Sequence, residues 1–123
     1  MEKRVYTALC FMQGGYTVLT ALWALIDIKS FMAVTGPKTD IWLVKTVAAL
    51  LVPIGTGILL GPLLKKDFWI VLLLGTSTSA GLAIIDFYYT ANGTIRWIYQ
   101  LDGFIELAFL LTWLFLLSRL NKI

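Results

Sequence analysis

The stretch YQLDGFIELAFLLTW, residues 99–113, begins a long apolar run that nevertheless carries two carboxylates, Asp102 and Glu106. Because an α-helix has about 3.6 residues per turn, a spacing of four places both side chains on one face, one turn apart. A carboxylate inside a membrane-spanning helix is costly unless another group compensates its charge. The rest of the chain should therefore supply groups that these two carboxylates meet.

The composition predicts an integral membrane protein. Of the 123 residues, 59% are hydrophobic and 14% are charged, whereas a soluble domain has roughly 25% charged residues. The apolar residues form four blocks of about twenty, the length that crosses a hydrocarbon core of about 30 Å. These blocks cover approximately residues 5–26, 41–61, 68–89 and 97–118. We therefore expect a single integral membrane domain over residues 1–123, folded as an all-α bundle of four transmembrane helices.

The lack of histidine and the single cysteine exclude several kinds of metal site, active site and disulfide. The sequence has no histidine, which excludes His-ligated haem, the common zinc and copper sites and any Ser–His or Cys–His catalytic pair. Its one cysteine, Cys10, has no partner for an intramolecular disulfide. We expect no cofactor and no metal site.

The net charge of +3 lies mostly at the ends of the blocks, so it indicates membrane topology and not nucleic-acid binding.

The distribution of lysine and arginine predicts the orientation in the membrane. One side of the predicted bundle, formed by the two termini and the second connection, has more basic residues than the side formed by the first and third connections. The two sets are Lys3, Arg4, Lys65, Lys66, Arg119 and Lys122, against Lys29, Lys38 and Arg96. Both termini are therefore expected in the cytoplasm, and short connections predict an up-down-up-down bundle.

Six polar residues are candidates for a ligand pocket in the outer half of this bundle. At 1.5 Å per residue, Lys45 lies roughly 6 Å and Asp102 roughly 8 Å inside the outer boundary, so these two are expected to pair. Glu106, roughly 14 Å deep, has no countercharge at its own depth and is expected to be largely protonated. The candidates share inward-facing stripes of their helices, and they are Glu106, Asp102, Lys45, Tyr99, Gln13 and Asp86.

Small residues predict where helices pack closely. Gly57 and Gly61 form a GxxxG pattern in the second span, although this pattern is also frequent by chance. Gly75 and Ser79 lie in the small, polar centre of the third span, which suits a helix packed on several sides. Between the first two spans, residues 30–34 are amphipathic enough to lie in the membrane interface as a short helix.

Two stretches of the chain, FMAVTGPKTDIWLVKTV (residues 31–47) and IYQLDGFIE (residues 98–106), resemble a family of small four-span bacterial membrane proteins. The resemblance covers nearly the whole chain. It implies a protein of the bacterial inner (plasma) membrane, and it supplies no activity, ligand or catalytic residue.

Three functions are compatible with these features. The first is binding or transport of a small amphipathic or cationic ligand, with Glu106 and Asp102 as anionic anchors and Lys45 as countercharge; transport would require a homodimer, through Gly57 and Gly61. The second is an accessory subunit of a larger membrane complex, in which the buried charges only hold the helices in register. The third is an intramembrane lipid-modifying enzyme of the isomerase type, which is the least favoured because two carboxylates and a lysine are not a specific signature.

Overall fold

The computed structural model describes residues 2–65 and 67–120, and the secondary structure of these ranges is helical, without a strand. The helices are α1 (Glu2–Ile26), α2 (Ile28–Thr35), α3 (Ile41–Leu60), α4 (Phe68–Ala91) and α5 (Ile98–Leu120). All except α2 are long and apolar enough to cross a membrane. This confirms the helical fold class and the four membrane-length helices. Lys66 and Lys122, which entered the charge count, lie outside the described residues.

Capping and turn residues set the helix ends. Asp67 accepts a hydrogen bond of 2.9 Å from the backbone N–H of Trp69 at the start of α4, and Asp27 accepts one of 3.2 Å from that of Ser30 in α2. Gly36, with a φ of 110°, ends α2 in a conformation that favours glycine. The short helix expected at residues 30–34 is confirmed and is α2, while its position in the membrane interface stays a prediction.

Two pairs of helices build the bundle. α1 packs mainly on α3 and α4 packs mainly on α5, while contacts between α1 and α5 join the pairs. The contact of α1 with α3 is backbone on backbone, since a Cβ added to Gly14 would lie 2.7 Å from the carbonyl oxygen of Gly55 and 2.6 Å from the backbone nitrogen of Leu59. A side chain at Gly14 would force the two helices apart. Neither Gly14 nor Gly55 was among the predicted packing residues.

The four packing residues that were predicted lie at helix contacts within the chain. A Cβ on Gly61 would be 2.9 Å from Val71, and one on Gly57 would be in ordinary contact with Leu74, so both glycines face α4. A Cβ on Gly75 would overlap the indole ring of Trp113 in α5. Ser79 is fully buried, and its hydroxyl donates to the carbonyl of Gly75 at 2.8 Å.

The two ends of the bundle are filled differently. At the end that contains the turn after α3, here called the hairpin end, the core holds large side chains, including the fully buried Trp113 and Ile58. At the opposite end, here called the α2 end, the buried apolar core consists of one phenylalanine and three alanines: Phe31, Ala21, Ala24 and Ala48. Alanine side chains are too small to fill the space between four helices, so this end retains a cavity.

Candidate functional site

A cavity of about 270 Å³ lies between the helices at the α2 end. Its walls come from α1, α3, α4 and α5, with contributions from Phe31 of α2 and from Lys38 in the following loop. Most of the described lining side chains are apolar, but seven of them carry a carboxyl or a hydroxyl group. These polar lining residues are Asp86, Asp102, Glu106, Tyr16, Thr17, Thr20 and Tyr99.

The structure brings four of the six candidate residues together. Glu106, Asp102 and Tyr99 line the cavity from α5, and Asp86 lines it from α4. Asp102 accepts a hydrogen bond from the Tyr16 hydroxyl of α1, and its carboxyl lies beside that of Asp86. Three carboxyls from two adjacent helices therefore face one apolar space.

The cation at this cavity is Lys38 and not Lys45. Lys45 is exposed on α3, and it is not among the side chains that line the cavity. The Nζ atom of Lys38 lies 5.1 Å from the centroid of the Tyr99 ring and 5.8 Å from that of Phe31, which is the range of cation–π interactions. The structure thus does not bring Lys45 to Asp102.

The different position of Lys45 has a simple geometric reason. Counting residues along α3 estimates depth, but successive residues also rotate by about 100° around the helix axis. α3 turns Val44 and Ala48 toward the cavity, which leaves Lys45 on the exposed side. The enzyme hypothesis required Lys45 beside Asp102 and Glu106 to stabilise negative charge. Because Lys45 does not line the cavity with these carboxyls, its position does not support that hypothesis.

Gln13 lies in the core of the hairpin end and does not line the cavity. Its Nε2 atom donates to the carbonyl of Gly75 at 3.0 Å, and its Oε1 atom accepts from Nε1 of Trp113 at 2.6 Å. These two bonds join α1 to α4 and α5. The amide of Gln13 is thereby engaged in holding the helices together, and it is directed away from any ligand in the cavity.

Among the residues that the structure describes, three buried oxygens at the cavity have no hydrogen-bond partner. They are Oγ1 of Thr17 on α1, Oδ2 of Asp86 on α4 and Oε2 of Glu106 on α5. The three residues are 4%, 4% and 1% exposed, respectively. Leaving a buried polar atom unpaired costs about 1–3 kcal/mol, so three such atoms around one space point to a group that donates several hydrogen bonds. A protonated primary amine donates three.

A metal ion is a weaker match to the same side chains. Within residues 2–65 and 67–120, no three His, Cys, Asp or Glu side chains lie close enough together to hold one ion. One of the three unpaired oxygens belongs to a threonine hydroxyl, which does not carry the negative charge that a divalent cation prefers. The donor set therefore favours an organic cation.

Four polar residues that line the cavity were not among the predicted site residues: Tyr16, Thr17, Thr20 and Lys38. The helical spacing of Thr17 and Thr20 with Ala24 indicated a shared face, but the small residues on that face predicted close packing of a neighbouring helix and not a ligand site. Tyr16 and Lys38 carry no such signal. Lys38 is placed by a contact between distant segments, in which Arg96 donates to the carbonyl of Ala33 at 3.2 Å and so connects α2 to the connection between α4 and α5.

Comparisons of the chain with protein-family models, with curated proteins and with solved structures gave no match. The resemblance to four-span bacterial membrane proteins therefore stays a prediction.

Proposed function

We propose that this protein binds a small amphipathic cation in the cavity at its α2 end. A protonated amine would lie against the carboxyls, and the hydrocarbon part of the ligand would lie along the apolar walls. The observation that carries this proposal is the set of three buried oxygens without a partner, on Thr17, Asp86 and Glu106, which come from three different helices. An ammonium group supplies three N–H donors and so can satisfy all of them.

Charge and shape support the same ligand class. Among the described residues, three carboxyls and one basic side chain, Lys38, line the cavity. A bound cation favours the ionised form of a neighbouring carboxyl, so a positive ligand suits this set of side chains. At about 30 Å³ per water molecule, a volume of 270 Å³ corresponds to about nine waters. This is enough for an amine with a short hydrocarbon chain, and the apolar lining residues suit that chain.

The proposal includes an orientation in the bacterial inner membrane. We place both termini in the cytoplasm and the α2 end in the outer half of an up-down-up-down bundle, in agreement with the lysine and arginine counts. Alternation of the helices is supported by the cavity, which draws on the C-terminal halves of α1 and α4 and on the N-terminal halves of α3 and α5.

Labelling of single cysteines tests this orientation. In a Cys10→Ala background, Asn92→Cys should react with a membrane-impermeant maleimide in intact cells, because residue 92 lies at the α2 end. Lys3→Cys, at the opposite end, should react only after the cells are permeabilised. The reverse pattern would show that the cavity faces the cytoplasm.

Binding of an alkylamine tests the ligand class. We expect radiolabelled decylamine to bind saturably to the protein in lipid nanodiscs, as followed by a scintillation proximity assay, and we expect decanol to compete poorly. Glu106→Gln should lower the decylamine affinity about tenfold or more, since a hydrogen bond to a charged group contributes roughly 1.5–3 kcal/mol. Equal competition by decanol and unlabelled decylamine would contradict the proposal.

A matched control separates a specific effect from a general change of charge. Asp40 lies at the same end of the bundle, is exposed, and makes no capping hydrogen bond through its side chain. Asp40→Asn removes one carboxylate, as Glu106→Gln does, but it should leave decylamine affinity unchanged. If Glu106→Gln binds decylamine as tightly as the unmodified protein does, the carboxyls are structural and the proposed function is wrong.

An accessory subunit of a larger membrane complex is the second candidate, and the position of Lys45 favours it. Lys45 is exposed on a face of α3 that also exposes Trp42 and Ala49. A lysine on such a face needs either a polar partner or access to the membrane interface through its long side chain. This candidate requires a protein that co-purifies in stoichiometric amount and is lost in Lys45→Ala. A partner retained by that variant would remove the support that Lys45 provides.

A further inference from the structure

The side of the cavity between α3 and α4 is not closed by helix packing. These two helices make few contacts with each other, and two of those contacts, Gly57 with Leu74 and Gly61 with Val71, lie toward the hairpin end. On the remaining sides α1 packs on α3 and α5 packs on α4, and the hydrogen bond from Tyr16 of α1 to Asp102 of α5 closes the side between α1 and α5. The cavity is therefore bounded most weakly between α3 and α4.

Side chains on both edges of this gap line the cavity and are also exposed. Val47 of α3 is 52% exposed and Ile85 of α4 is 50% exposed, and both contribute to the cavity wall. Residues that belong to a cavity and to the outer surface at once mark an opening between the two. We call this opening, between Val47 and Ile85, the lateral opening.

The α2 end itself is more completely covered. Phe31 of α2 is 8% exposed, and the Lys38 ammonium is held between the rings of Phe31 and Tyr99. The hydrogen bond from Arg96 to the carbonyl of Ala33 holds α2 against the connection before α5. A cationic ligand that approached from this side would also meet the charge of Lys38.

We propose that the amine reaches the cavity sideways from the bilayer, through the lateral opening. This inference rests on the proposed function and deepens it, because it names the ligand class as an alkylamine that dissolves in the membrane. The ammonium group would meet the carboxyls while the alkyl chain stays in the opening, where the flanking residues are apolar. These flanking residues are Val44, Val47, Leu51, Leu82 and Ile85.

Bulky side chains at the lateral opening test this route. Val47→Trp and Ile85→Trp should each narrow the opening, so association and dissociation of radiolabelled decylamine in nanodiscs should both slow, by roughly tenfold. The dissociation constant should change much less than either rate, because the obstruction acts in both directions. The matched controls are Leu50→Trp and Ile84→Trp, at positions that are 60% and 66% exposed and do not line the cavity.

The possible results distinguish a failure of the lateral route from a failure of the proposed function. Unchanged rates in both Val47→Trp and Ile85→Trp would overturn the lateral route, while Glu106-dependent binding would leave the proposed function intact. Absence of Glu106-dependent decylamine binding would overturn both. Either tryptophan variant could fail to fold, so size-exclusion chromatography is used to select a folded one. One folded variant is sufficient to test the route. Efficient cross-linking of Val47→Cys chains into dimers, in a Cys10→Ala background, would show that a second copy covers the opening and would overturn lateral access.

Discussion

Replacement of Gln13 by leucine is expected to weaken folding while leaving the cavity unchanged. The buried Gln13 amide donates to the carbonyl of Gly75 at 3.0 Å and accepts from Nε1 of Trp113 at 2.6 Å, so it connects three helices. Leucine is similar in size but has no polar atom. The substitution therefore removes both hydrogen bonds while the packing changes little.

The size of the effect follows from these two bonds. Side-chain hydrogen bonds between transmembrane helices contribute about 0.6 kcal/mol on average and up to about 1.7 kcal/mol each, so the pair contributes about 1–3 kcal/mol. The indole N–H of Trp113 belongs to a fully buried side chain and would lose its acceptor in the variant. Because an unpaired buried donor adds its own cost, we expect the free energy of unfolding to fall by about 2 kcal/mol.

The measurement is reversible unfolding in mixed micelles with increasing dodecyl sulfate, followed by circular dichroism. Gln100→Leu is the matched control: Gln100 is exposed in the first turn of α5, so its free energy of unfolding should change by less than about 0.5 kcal/mol. Gln13→Leu should retain decylamine affinity. If Gln13→Leu is as stable as the unmodified protein, or loses decylamine binding at unchanged stability, the structural role assigned to Gln13 is wrong.

Two further pairs of variants test the packing and the charge of the cavity. Gly14→Ala should lower the free energy of unfolding by about 2 kcal/mol or more, because its Cβ would lie 2.6 Å from a backbone nitrogen of α3. Gly15→Ala is the matched control: a Cβ there has nothing within 4 Å, so this variant should be neutral or slightly stabilising in the same unfolding assay. Equal stabilities for the two variants would contradict the close contact of α1 with α3. Lys38→Met should increase decylamine affinity several-fold, because it removes a like charge near the bound ammonium, whereas Lys45→Met should have no effect. If Lys45→Met changed decylamine affinity and Lys38→Met did not, Lys45 and not Lys38 would be the lysine near the bound ammonium.

Residue counting and spacing were sufficient for the helices and for part of the site. The predicted spans begin and end within three residues of the four long helices, because a membrane-spanning helix needs about twenty apolar residues and satisfies its backbone hydrogen bonds internally. This information is local in the sequence. The spacing of Asp102 and Glu106 likewise depends only on the helical repeat, and both side chains line the same cavity.

The rotation of each helix about its own axis was decided only by the tertiary structure. The sequence by itself determines depth, since depth follows from the number of residues, but the direction of a side chain depends on which neighbouring helix packs against it. The backbone contact of Gly14 with Gly55 orients α3, and Ala48 lies on the same stripe as Gly55, two turns earlier, and so faces the cavity. Lys45, off that stripe, remains outside, and the lysine that lines the cavity is instead the loop residue Lys38.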